Sequence, residues 1–187
     1  MVLLVAACDE RVRAVVAQVP AGGRTRRRPI SIRSTLLTGD ISATPETTVG
    51  PLPVVSFDQV GSPSRLTPLT AFRRFIEYGA RHGSGWQNIA TRVSPPVPEP
   101  FHAGLCAPHV TVPTLALISP DDEMPGANPA VARAAFEAVA GPCEILDIEG
   151  GHFGLLFHPS PEFDAALAAQ LVFVTAHLYA EGGLMLQ

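Results

Sequence analysis

Lysine is missing from this sequence altogether: its 13 basic residues are all arginines, set against 17 acids for a formal charge of −4. No physical mechanism asks a chain to avoid lysine, so the absence reads as codon usage in a GC-rich genome. A net negative charge supplies no field to gather nucleic acid. The one basic run, Arg24, Arg26, Arg27 and Arg28, reads as a solvated loop rather than a phosphate patch. Cysteine is scarce. Cys8, Cys106 and Cys143 form no C-x-x-C pair, no even framework and no metal-ligand spacing, so free thiols in a reducing, cytoplasmic setting are expected, with no metal or other cofactor. Long apolar runs are lacking too, and none reaches the roughly 18 residues of a membrane span. The opening M-V-L-L-V-A-A-C looks superficially like a lipoprotein cleavage site. It has no basic first stretch and too short an apolar run, so neither export nor a membrane partner is expected.

What is present suits one folded domain: 187 residues, 47% apolar and 16% charged, enough to bury a core. Prolines are frequent, 19 in all, and most fall between Pro20 and Pro113, which marks a single loop-rich region. Met1 to Ala7 reads as the end of a helix. Val12 to Val19 is β-branched and nearly continuous, as a strand of a parallel sheet buried on both faces would be. From Ala21 to about Leu66 periodicity is lost, which predicts a lid or binding loop. Thr67-Pro68 opens a helix to about Arg81 with Leu69, Phe72, Phe75 and Ile76 at helical spacing. Trp86 follows and reads as a packing anchor rather than a pocket wall.

The chain is organised around Val112 to His152. Thr114 to Ile118 predicts a strand, Ser119-Pro120-Asp121-Asp122 an acidic loop, and Asn128 or Pro129 the start of a helix with Ala130, Ala134, Ala135, Phe136 and Val139 inward. Glu144 to Ile148 predicts a further strand and leads into G-G-H-F-G. Two carboxylates and an imidazole therefore meet at the same ends of neighbouring parallel strands. Ser160 then caps a helix from Pro161 whose inward face is expected to be Phe163, Leu167, Leu171, Phe173, Val174 and Leu178, closed by Gly182-Gly183.

Strand, acid loop, helix, strand, glycine-flanked histidine and terminal helix, in that order, resemble the carboxyl-terminal half of the α/β-hydrolase fold, in its esterase and dienelactone-hydrolase-like members. The likeness extends over most of the chain, with D-E-R-V-R-A-V-V-A-Q-V-P similar to the strand after the nucleophile-bearing helix and W-Q-N with its proline-rich return similar to a lid. The resemblance implies an α/β fold of three layers with a short parallel sheet. It implies one truncated domain: residues 1–20 a helix end and strand, 21–111 a lid-like insertion, 112–187 the core with the acid and histidine loops. It makes His152 the base and Asp122 or Asp121 the acid. Asp122 is preferred, because the family's loop sets an interval of three residues between strand and acid, which Ser119-Pro120-Asp121 fills after Ile118, and Asp121 is then a rim carboxylate. Gly150 and Gly151 allow the tight turn before the histidine, with Phe153 and Leu155 as anchors. A histidine between glycines is by itself more often a turn residue; the acid loop and helix in register argue for the paired role. His158 lacks a third ligand for a metal site, and His82, His102 and His109 read as surface residues.

The sequence departs from the family at the nucleophile, for G-x-S-x-G does not occur. Gly83-Ser84-Gly85 follows a helix, Ser119 runs into a proline, and Cys8 lies past where the elbow would end. The expectation is the carboxyl-terminal portion of a serine hydrolase of carboxylic esters or related acyl bonds. It would take its small substrate only with the absent half, turn over little alone, and expose a strand edge at Val12 to Val19 for self-association. The alternatives are a non-catalytic remnant that serves as a binding module, and an enzyme that uses Ser84 or Cys8.

Overall fold

The computed structural model describes residues 2–22, 48–81, 84–93, 103–124 and 126–179. The arginine run, His82, His102, Pro95 to Pro100 and Gly182-Gly183 lie outside the described residues. In chain order the elements are α1 (Val2–Cys8), β1 (Val15–Gln18), β2 (Thr48–Leu52), α2 (Leu69–Arg81), β3 (Ala90–Val93), α3 (Ala103–Cys106) with a 3-10 turn (Ala107–His109), and β4 (Thr114–Ile118). There follow α4 (Pro129–Glu137), β5 (Cys143–Asp147), α5 (Gly151–Gly154) and α6 (Pro161–Val174), which ends in a π turn (Thr175–Tyr179). Two compact units result: Met1–Arg27 with Phe101–Gln187, and Arg28–Pro100.

The first unit is built on β4, which is buried at all five positions. A three-stranded parallel sheet runs in the order β1-β4-β5, with Thr114 opposite both Val15 and Cys143. Successive strand residues point to opposite faces. Ala116 and Ile118 therefore pack with Leu3, Ala107, Val110, Ala132 and Phe136, whereas Leu115 and Leu117 pack with Leu155, Ala166 and Phe173. Helices α1, α3 and α4 thus cover one face and α6 the other, a three-layer α/β arrangement. Each fully buried leucine contributes roughly 1.5–3 kcal/mol. The helices begin where the sequence signals them. Asn128 Oδ1 accepts the N–H groups of Ala130 and Val131 ahead of Pro129, and Ser160 Oγ accepts that of Phe163 ahead of Pro161.

Several expectations need correction. Residues 103–111, assigned to the insertion, belong with the core, because Cys106, Ala107 and Val110 are buried against Leu3 and Ala116. Pro108 and the prolines just before the segment made a packed turn look like loop. On α4 the buried alanines are Ala132 and Ala135, and Ala130 and Ala134 face outward. On α6, Leu167, Leu171 and Leu178 are exposed, and Ala166 and Phe173 form the inner face. That helix is apolar nearly all round, so spacing alone could not choose its face.

In the second unit β2, which Gly50 and Pro51 concealed in the sequence, pairs with β3 antiparallel. Asn88 acts as a substitute strand neighbour for Val55. Its Oδ1 accepts the Val55 N–H at 3.0 Å, and its Nδ2 donates to the Val55 carbonyl at 2.8 Å. Trp86 lies against Phe75 with ring centroids 5.6 Å apart, a packing contact. Helix α2 buries Ala71, and Leu69 and Ile76, expected inward, are exposed. No described helix is long and apolar enough to cross a membrane.

The inner face of α6 is directly testable. Phe173→Ala is expected to lower the unfolding free energy by about 3–5 kcal/mol, and Leu171→Ala, at a position 58% exposed, by no more than about 0.5 kcal/mol. Urea unfolding followed by circular dichroism separates the two, and equal losses would contradict this face assignment.

Candidate active site

Strands β4 and β5 end side by side, with Ile118 opposite Asp147. Chain continuity therefore sets Ser119–Glu123 and Glu149–His152 against each other above the sheet. Asp122 sits in the first loop with its side chain only 4% exposed, and its Oδ2 lies 2.8 Å from Nδ1 of His152, itself 22% exposed. The other carboxylate oxygen accepts the N–H of Met124 at 2.9 Å. The imidazole stands edge-on to Phe153, centroid to centroid 5.0 Å, and Phe153 and Leu155 are buried beneath the loop. A proton on Nδ1 directed at Asp122 leaves Nε2 as an acceptor. This is the arrangement in which an imidazole can take a proton from a neighbouring hydroxyl while the carboxylate stabilises the resulting cation.

The residues on either side of Asp122 also grip the histidine loop. Asp121 Oδ1 accepts the Ser119 hydroxyl at 2.7 Å and the Gly150 N–H at 3.2 Å. The Ser119 hydroxyl is the main cause that holds the Asp121 carboxyl below its ordinary range; burial opposes it, and the N–H groups of Gly151 and Gly150 add smaller lowering effects. Glu123 Oε2 accepts the N–H of His152 at 2.9 Å. Gly150 and Gly151 have φ of 123° and 66°, values that glycine adopts without strain. A Cβ on Gly151 would stand 2.5 Å from Glu123 Oε2, so the bare backbone also admits the carboxylate. Both the φ requirement and the carboxylate approach fall within one turn.

Comparison with solved structures gives matches at 18% identity. Over 93% of its length the chain superposes on a monoacylglycerol lipase from Paleococcus ferrophilus with a TM-score of 0.56. Over 95% it superposes on DcsB, solved with a substrate analogue, with a TM-score of 0.55. The chain has the α/β-hydrolase fold. It spans 63% and 60% of the length of those two chains. No protein-family model matches the sequence, and no curated protein matches it.

Within this α/β-hydrolase fold the structure brings Asp122 and His152 together, and the other candidate nucleophiles and histidines are found in different settings. Ser84 is exposed in the second unit, its hydroxyl donating to the Gly79 carbonyl at 3.3 Å. Ser119 is buried and committed to Asp121. Cys8 is an exposed free thiol at the end of α1, Cys106 and Cys143 are free as well, and burial raises both of their thiol pKa values. His158 packs edge-on to Phe163 at 5.0 Å, and no cluster of three or more metal-ligating side chains occurs among the described residues. A shallow depression beside Asp122, lined by Val19, Pro20, Ile118, Ala127 and Pro129, leaves essentially no enclosed room even for a water-sized molecule. Glu123 escaped sequence reasoning, although the first N–H groups of a short helix always need acceptors and D-D-E lay opposite them.

Two outcomes follow. Gly151→Ala forces a left-handed conformation on alanine and crowds Glu123, so it is expected to lower stability by about 1–3 kcal/mol; an unchanged urea midpoint would contradict the φ argument. The Asp121 carboxyl is lowered in the folded chain, so its ionised form contributes stability fully above the ordinary aspartate value near 3.9. That contribution is lost as pH falls through the lower folded value. The stability of the unsubstituted chain relative to Asp121→Asn should therefore hold from pH 7 to about 5 and shrink below about 4, as urea titrations at each pH would record.

Proposed function

We propose that the chain supplies the general base His152 and its orienting acid Asp122 to a serine-type hydrolase of carboxylic esters or related acyl bonds. The observation that carries this reading is the 2.8 Å contact between Nδ1 of His152 and the nearly buried carboxylate of Asp122 at the ends of adjacent parallel strands. In the reaction, Nε2 takes the proton of a serine hydroxyl as its oxygen attacks the acyl carbon. Asp122 holds the Nδ1 tautomer and stabilises the imidazolium, which then returns the proton to the leaving alcohol. A water repeats the cycle and releases the acid. The serine, and the N–H donors that stabilise the tetrahedral oxyanion, come in this reading from a segment that the 187 residues do not include, since G-x-S-x-G occurs nowhere in them. The coverage of 60–63% of the two similar chains supports the same view.

The test starts at the gene. The reading frame upstream of Met1 is expected to encode G-x-S-x-G, and the extended protein to hydrolyse a short-chain nitrophenyl ester. Asp122→Asn should lower its kcat by roughly 10⁴-fold and His152→Ala by roughly 10⁶-fold. The present chain alone should show no turnover above background. Hydrolysis by the extended protein that ignores both substitutions would overturn the assignment. Turnover by the present chain that vanishes in Ser84→Ala or Cys8→Ala would instead establish a nucleophile inside it.

A further inference from the structure

Three successive carboxylates, Asp121, Asp122 and Glu123, each hold a different group of the histidine loop: the Gly150 N–H, the His152 ring and the His152 N–H. Only the second can take part in proton transfer. The third is the informative one, because its acceptor oxygen fixes the backbone of the residue that carries the imidazole. We propose that Glu123 is a positioning residue that keeps Nδ1 of His152 in line with Asp122. The inference rests on the acid and base assignment above.

The physical case begins with α5, a helix of four residues. A helix so short cannot hold its own geometry, because nucleation fixes more dihedrals than its few hydrogen bonds repay. Its first N–H groups have no intrahelical acceptor. The N–H of His152 meets Glu123 Oε2 at 2.9 Å, and Gly151 leaves open the space that this carboxylate occupies, since a Cβ there would lie 2.5 Å away. The ring contact that depends on this anchoring is short, 2.8 Å. Hydrogen bonds weaken steeply with misalignment, so a displacement of about 1 Å in the loop breaks it. Glu123 itself is exposed, and its removal opens no cavity in either hydrophobic cluster. Placement of the ring and integrity of the fold are therefore separable.

Reach and charge are separable as well. Glutamine keeps an oxygen at the same distance and loses the charge; aspartate keeps the charge and falls one methylene short. The experiment uses the full chain, labelled with 15N, and reads the His152 ring tautomer and the exchange rate of its Nδ1 proton beside thermal unfolding. The unsubstituted chain is expected to show one tautomer with a slowly exchanging Nδ1–H. In Glu123→Ala and Glu123→Asp that proton should exchange at least about tenfold faster, as loss of one charge-assisted hydrogen bond would allow, with unfolding midpoints near the original. Glu123→Gln should restore slow exchange. An unchanged ring signal in Glu123→Ala, or restoration by aspartate and not by glutamine, would overturn the proposal. If Glu123→Ala does not fold, the glutamine and aspartate variants decide between the same outcomes. The readout needs no turnover, so a failed ester assay would remove the hydrolase reading without touching this result.

Discussion

An aspartate whose side chain is 4% exposed is the constraint from which the upper edge of the sheet follows. Withdrawal of an ionised carboxylate from water costs several kcal/mol unless donors replace the lost hydration. Asp122 finds two, the Met124 N–H within its own loop and the His152 ring across from it. The first shapes the acid loop into a tight turn. The second requires the loop after β5 to lean over β4, and everything distinctive about Glu149 to Leu155 serves that movement. The paired glycines turn the chain, and Phe153 and Leu155 pin the far side of the turn to the core beneath.

The same geometry explains why the acids on either side are not interchangeable with Asp122. Around a tight turn successive side chains point in different directions, so three neighbouring carboxylates reach three different places. Asp121 turns back to Ser119 and Gly150, Asp122 points at the ring, and Glu123 is long enough to reach the His152 N–H. A carboxylate in the first or third position is wet and has backbone donors; only the middle one is both buried and opposed to an imidazole. Environment, not residue type, separates the group suited to proton chemistry from the two that fix loops.

How much of this was legible in the sequence varies with the kind of signal. Strand β1 was visible as a β-branched apolar run, β4 and β5 as short segments bounded by proline or glycine, and α4 and α6 through Asn128-Pro129 and Ser160-Pro161, because those features are local. The preference for Asp122 over Asp121 came from the resemblance, whose acid loop sets a three-residue interval after the strand. The outward placement of Leu167 and Leu171 was not legible, since a helix apolar on all sides carries no periodic clue to its face. Nor was β2, where Gly50 and Pro51 carry turn chemistry inside a pairing strand, nor its four-residue partner β3. Glu123 was hidden for a third reason: its partner is a backbone N–H, which has no letter in the sequence.

The pairing of Asp122 with His152 is contained in one β-α-β unit. Strand β4, helix α4 and strand β5 are consecutive, the strands are parallel neighbours in register from Thr114–Cys143 to Ile118–Asp147, and such crossovers take one hand. Both loops leave the same end of the sheet by topology alone, and the contacts that fix them, from Ser119 to Leu155, lie between the two loops or in the core below. Formation of the pair therefore draws on the two loops and the core beneath them. In the hydrolase reading proposed above, an acid and a base held in this way would be preorganised before any hydroxyl arrived, and a nucleophile would have only to be brought within reach of Nε2.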